Sequence, residues 1–150
     1  MVHLVHCDSK EKVLKKILEG TKTMIVRGAA VRDVPHSRVF DGDVLYLMER
    51  GSKKISVKAS VAYVENYTQL SEDKISSILN DNQDKLNLSA KQKKKWHKKC
   101  LCLVAIEDVV EIEPLEFDRD CNVADWLIIE RIEDVVIGTS KPYNYENYIF

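Results

Sequence analysis

The chain has no apolar run approaching the roughly 18–20 residues that cross a bilayer, so no membrane-spanning helix is expected. Its opening, MVHLVHCDSK, lacks the basic start and apolar core of a secretion signal. These two absences predict a cytoplasmic protein without a membrane partner. No P-loop, GxGxxG, HExxH or GxSxG pattern occurs, which argues against nucleotide hydrolysis, dehydrogenase and serine-hydrolase chemistry. The four cysteines, Cys7, Cys100, Cys102 and Cys121, form no CxxC pair. His97-x-x-Cys100-x-Cys102 and His3-x-x-His6-Cys7 come nearest to metal-ligand spacing, and neither matches a structural zinc site. Reduced, packed thiols are therefore expected, with no metal and no cofactor.

A large net charge is also missing: the formal total is −1. That average hides a division. Residues 1–100 hold 20 Lys and Arg against 12 Asp and Glu, while residues 101–150 hold 3 against 12. The basic part suits an anionic partner such as RNA or another nucleic acid, and the acidic C-terminal half suits a protein partner. Two oppositely charged halves that attract each other fit the same counts. With 150 residues, 45% apolar and 31% charged, the chain reads as one folded domain, residues 1–138, followed by a tail, 139–150.

Hydrophobic periodicity places the elements. Residues 3–7 read as a strand. Asp8 and Glu11 make a capping-box pattern before a helix with Val13, Leu14, Ile17 and Leu18 on its apolar side. Gly20 ends that helix, and residues 21–26 are rich in β-branched residues. Residues 28–38 read as a loop carrying Arg32, His36 and Arg38. After the turn Asp41-Gly42-Asp43, strands follow at 44–48 and at 55–63, where Ile55, Val57, Ala59, Val61 and Tyr63 share one face. Ser71 opens a second helix and Ser89 a third, AKQKKKWHKK. Residues 101–106 form a strand covered on both sides, continuing through 109–112 until Pro114. Residues 126–136 read as the last strand or strand pair. The pentapeptide IEDVV occurs at 106–110 and again at 132–136, which predicts two strands of similar edge chemistry. The sum is an α+β domain built on a small mixed β-barrel with two or three flanking helices.

Three groups of residues have chemistry to offer. In the first, residues 20–27, Lys22 supplies a compact charge and Arg27 a fork of donors, both suited to phosphate. Five positions apart, they would face opposite ways in a regular strand and converge only if Lys22 lies in the turn. The second is the run Lys91, Lys93, Lys94, Lys95, Lys98 and Lys99 around Trp96, which would neutralise phosphates while the indole stacks a base. The third is aromatic: Trp96, Trp126, Tyr46, Tyr63 and Tyr67 are the candidates to line a base pocket.

The run Ile17-Leu18-Glu19-Gly20-Thr21-Lys22-Thr23-Met24-Ile25-Val26-Arg27 resembles the signature of ASCH domains in the PUA-like superfamily. In that signature a helix ends in Gly, a Lys follows two residues on, and an Arg seven residues after the Gly. Asp41-Gly42-Asp43-Val44 is similar to the Gly-Asp turn of the same domains. The resemblance covers roughly residues 1–112. It implies a small β-barrel with a cleft at the signature, binding RNA or another nucleic acid and possessing, in some relatives, recognition of a modified base. The residues it implicates are Lys22, Arg27, Arg32, Arg38, Lys94, Lys95, Trp96 and Lys98. Some members resemble amidohydrolases on modified nucleosides, others ribonucleases, which makes a small hydrolase using Lys22 the alternative. Lys22, Thr23 and Glu72 are then the candidate catalytic residues, with Glu65 a further source of a carboxylate. The positions where such members carry their Thr and Glu hold Ile25 and Ile78 here, and an isoleucine carries no proton.

Overall fold

The computed structural model describes residues 1–118 and 124–139. Cys121 and positions 140–150, nearly all of the expected tail, lie outside the described residues. Six strands form one mixed sheet: β1 (Val2–Cys7), β2 (Met24–Ala29), β3 (Val44–Glu49), β4 (Lys54–Tyr67), β5 (Cys100–Glu116) and β6 (Trp126–Ile129). Their order is β2-β5-β4-β3-β1-β6, with β1 parallel to β3 and every other pairing antiparallel. The helices are α1 (Val13–Glu19), α2 (Glu72–Asp81), α3 (Gln83–Leu86) and α4 (Ala90–Lys95). This is the mixed α+β sheet that the pattern predicts, curled into a half-barrel. Among the described residues four helices flank it rather than two or three, because residues 80–87, which carry no long apolar stripe, still close one short turn at α3.

Both faces of the sheet are covered. On β2, Ile25 points to an inner core with Val5, Leu45, Val57 and Val104, sealed by Val13, Leu14 and Ile17 of α1. Met24 and Val26 point outward to Ile75, Leu79, Leu86 and Leu88 from the helical side. β5 divides in the same way, Cys102, Val104 and Ile106 inward and Leu101, Leu103 and Ala105 outward, which accounts for its nearly unbroken apolar run. A third cluster, Leu4, Met48, Phe117, Leu127 and Val135, fills the opposite outer face.

Several local expectations change. Pro114 does not end β5, which runs on to Glu116. β2 pairs only with residues 100–105 of β5, so the distal half has one free edge where a missing N–H breaks no ladder. On β4 the register shifts between Val61 and Tyr63, and Tyr63 leaves the face of Val57, Ala59 and Val61 for the outer, helical one. Of the two IEDVV copies, the first lies within β5, but the second forms a 3₁₀ helix, Ile132–Val135. Five residues do not choose a conformation alone. The first copy pairs along β4, while the second folds Ile132 and Val135 onto the third cluster. Asp8 does not cap α1. Its carboxylate accepts the N–H groups of Lys10 and Glu11, closing a turn before α1 begins at Val13.

Candidate functional site

The helix–Gly–strand join is built as the sequence suggests. Gly20 takes φ +79, and its N–H reaches the Ile17 and Lys16 carbonyls. Thr21 and Lys22 also donate their N–H groups to Lys16 O, at 3.0 and 3.1 Å. Lys22 therefore sits in the turn, ahead of β2. The turn is fastened to the C-terminal end of α3: Lys22 Nζ donates to Leu86 O, Lys16 Nζ to Asn87 O at 3.0 Å, and Asn87 Nδ2 to Thr21 O at 3.1 Å. Two ammonium groups thus meet carbonyls that the helix leaves unpaired, at its negative end. Lys22 is 3% exposed, and burial, with Arg27 and Lys16 nearby, lowers its pKa to about 7.

Arg27 spans the opening of the half-barrel. Its Nη1 donates to Val26 O at 2.9 Å and its Nη2 to His6 O on β1 at 3.0 Å. The guanidinium carbon lies 5.2 Å from the Trp96 ring centre and 5.8 Å from that of Trp126, the first residue of β6. β2 and β6 are the two free edges of the sheet. Arg27 is therefore a strut between them as well as a cationic surface, and two of its donors are already committed to backbone.

Two cavities open on either side of this strut and share Arg27, Trp96 and Asp125 as walls. The larger, about 280 Å³, is lined by Lys22, Arg27, Lys95 and Trp96, by Lys10 and Arg50, and by Asp8, His6 and Gln92. The smaller, about 200 Å³, is lined by Gly28, Ala29, Val34, His36, Cys100 and both tryptophans. Asp125 bridges to Arg50 through Arg50 Nε at 2.8 Å and through Nη2. Burial works to raise the Asp125 pKa, but Arg50, Arg27 and Lys95 hold it below the ordinary carboxylate value.

The Trp126 wall is positioned from behind. Its indole N–H donates to His3 Nδ1 at 3.0 Å, and His3 Nε2 lies 2.9 Å from Asp43 Oδ2. Asp43 belongs to the Gly-Asp turn and also accepts the Phe40 N–H at 3.0 Å. Burial lowers the His3 pKa against the opposing pull of Asp43.

The sequence-derived candidates fall into two sets. Lys22, Arg27, Lys95 and Trp96 share the larger cavity. Trp96 is the C-cap of α4, whose N-terminus is held by Ser89 Oγ accepting from Gln92 N at 3.1 Å. Its ring also carries Lys95 Nζ at 4.9 Å. Arg32 lines a separate, shallow hollow with Lys99. Arg38, Lys94 and Lys98 are outside both cavities, although Lys98 packs beside Gly28. Thr23 is exposed and donates its N–H to Lys85 O at 2.9 Å. Glu72 is exposed and paired with His97 at 2.5 Å, and Glu65 accepts the Tyr67 hydroxyl at 2.6 Å. Neither carboxylate joins Lys22, and Ile25 is buried in the inner core. Tyr46 and Tyr63 stand under Lys58 and Lys85 instead of in the cavities. Cys7 and Cys102 are buried free thiols whose pKa rises to about 11 and about 12. Sequence reasoning missed Gln92, Arg50 and Asp125, since no periodicity signals that three distant positions meet.

No family model and no curated protein matches the sequence. The fold does find counterparts among solved structures. The ASCH protein of Zymomonas mobilis superposes with a TM-score of 0.64 at 13% identity, over 89% of this chain and 90% of that one. Two of its variants behave similarly. A tyrosine-to-phenylalanine form gives 0.63 at 12% identity over 87% and 91%, and a serine-to-alanine form gives 0.59 at 14% over 77% and 73%. What is shared at such identity is the fold.

Proposed function

We propose that this chain, an ASCH-type, PUA-like fold, binds RNA or a related single-stranded nucleic acid in the cleft divided by Arg27. One observation carries this reading: Lys22, Arg27, Lys95 and Trp96, drawn from β2, its entering turn and α4, converge on one cavity. Exposed Lys10 and Lys95 at its rim suit phosphates, which attract cations without regard to sequence. Trp96, half-buried beside them, offers a face for a base, a modified base included. The acidic outer stretch of β5, with Glu107, Glu111, Glu113 and Glu116, remains a second surface, suited to a protein partner.

The test is fluorescence anisotropy of a labelled mixed-sequence RNA 12-mer at low salt. Lys10→Glu/Lys95→Glu reverses two rim charges without touching the strut, and weaker binding by at least about tenfold is expected. Equal binding by wild type and this variant would reject the reading. Arg27→Glu is a poor probe, because it would place a carboxylate against the His6 and Val26 carbonyls and damage the fold.

A second reading, hydrolysis of a modified nucleoside or of RNA, rests on Lys22. An amine with a pKa of about 7 is partly neutral near pH 7 and can accept a proton. Asp8, His6 and Asp125, rather than Thr23 and Glu72, are the carboxylates and imidazole lining its cavity. Turnover that follows Lys22→Met would decide it: loss of a measurable activity supports catalysis, and unchanged activity removes it.

A further inference from the structure

The outer edge of β5 is paired at both ends and open between them. At one end β2 pairs with residues 100–105, and Ile106 N–H donates to Thr23 O at 3.0 Å. At the other, Ile137 N–H donates to Glu116 O at 3.0 Å, and Phe117 bridges to Val136. Among the described residues, no backbone hydrogen bond reaches this edge between positions 107 and 115. The opposite edge of the same stretch is laddered to β4, from Lys54 to Ser60, which holds the strand extended. A row of unpaired N–H and C=O groups of this kind is a template for one more strand.

The opening has definite limits. At Asp108, φ +53, β5 bulges against β4, whose register shifts between Lys58 and Ser60. Pro114 lacks an N–H and stops a ladder at the far end. The regular part between them, residues 109–113, is about the length of an ordinary strand. Its side chains alternate: Glu111 and Glu113 project from one face, Val110 and Ile112 from the other. Both glutamates are exposed, and Val110 is 50% exposed. Glu107, Asp108 and Glu116 add further acids, and residues 101–116 contain no Lys or Arg. Among the described residues none of these acids forms an ion pair. Like charges set opposite each other destabilise a sheet, so the edge disfavours a second copy of itself. A strand that alternates Lys or Arg with apolar residues fits both faces. Its cations stand opposite the glutamates and its apolar side chains beside Val110.

We propose that residues 109–113 of β5 take up a short basic segment of a partner protein as an added strand. Both flanking segments run antiparallel to β5, so a strand in line with them does too. Main-chain hydrogen bonds supply the affinity, and cations at every second position fix the register. This rests on the reading of the acidic stretch as a protein-facing surface and names the chemistry of the partner. It is independent of the nucleic-acid cleft.

The probe is a labelled acetyl-TKVKVKT-amide peptide, titrated at low salt by fluorescence anisotropy. It is compared with a scrambled peptide of the same composition and with two forms N-methylated on alternate residues, one of which loses its edge-facing N–H groups. The scrambled peptide and that methylated form are expected to bind at least about tenfold more weakly, because pattern and ladder both contribute. Glu111→Gln/Glu113→Gln, two exposed changes checked by thermal melts, should weaken the parent peptide by at least about fivefold. Equal affinity for the parent, scrambled and both methylated peptides would reduce the contact to charge alone. That overturns the added strand and leaves the protein-facing reading standing. A wild-type dimer that Val110→Lys dissociates assigns the edge to a second copy and likewise overturns it. Failure of the parent peptide to bind overturns the added strand and the protein-facing reading together.

Discussion

The indole N–H of Trp126 donates to Nδ1 of His3, 3.0 Å away, in a buried contact that joins the edge strand β6 to β1. Because an indole nitrogen can only donate, Nδ1 must be unprotonated, and the single ring proton sits on Nε2 facing Asp43. The pair thus fixes the tautomer of His3 and the plane of the Trp126 wall together. The Gly-Asp turn, distant in sequence, ends up setting one side of the cleft.

Replacing His3 by Phe would leave the Trp126 N–H and an Asp43 oxygen without their shared partner, at a cost of about 1–3 kcal/mol. The pH dependence has a definite sign. The folded pKa of His3 lies below the unfolded 6.5, so its contribution is complete above 6.5 and is lost as pH falls toward the folded value. His6 is shifted in the same direction, so denaturant melts at pH 7.5 and 5.0 should show a loss that His3→Phe reduces and His3→Phe/His6→Phe reduces further.

Lys22 behaves in the same sense, over a higher pH range. Its folded pKa of about 7 is well below the ordinary 10.5, so the folded state holds fewer protons than the unfolded state above pH 7. Stability contributed by Lys22 therefore rises with pH from 7 upward, by about 1.4 kcal/mol per unit at most. The stability of wild type relative to Lys22→Met should increase between pH 6 and pH 8.5. A flat difference across that range would show that the ammonium is solvated.

Gly28 allows the residues following Trp96 to lie against β2. A Cβ there would fall 2.8 Å from Leu101 Cδ2 and 3.1 Å from both Cys100 O and Lys98 Cβ. Backbone is among those neighbours, so relief requires the chain at 98–101 to shift. Gly28→Ala is expected to lower stability by about 1–3 kcal/mol in denaturant unfolding, and to alter Trp96 emission before the transition.

Stacking and charge should separate in RNA binding. Trp96→Ala should weaken the mixed 12-mer by about 1–3 kcal/mol with an unchanged salt slope. Lys95→Glu should both weaken binding and flatten the slope by about one phosphate contact, whereas Lys94→Glu, outside the cavity, should do less. Titrations between 50 and 200 mM salt distinguish the two patterns.

Sequence by itself determined the elements whose periodicity is local: the helix ended by Gly20, the two-sided β5, the Ser71 and Ser89 caps, and with them the mixed α+β class of the fold. Those signals lie within one or two turns of chain, where backbone sterics and side-chain period suffice. Only the tertiary structure decided the fate of IEDVV, strand in one copy and 3₁₀ helix in the other, because burial partners and pairing edges choose between conformations of similar propensity. The same holds for the cleft. The Gly–Lys–Arg spacing located Lys22 and Arg27, but their roles come from partners remote in sequence. Lys22 is bound to the end of α3, Arg27 is spent partly on closing the barrel, and Gln92 and His6 complete the cavity. Such groups meet through the closure of the sheet, a long-range event that no local pattern encodes.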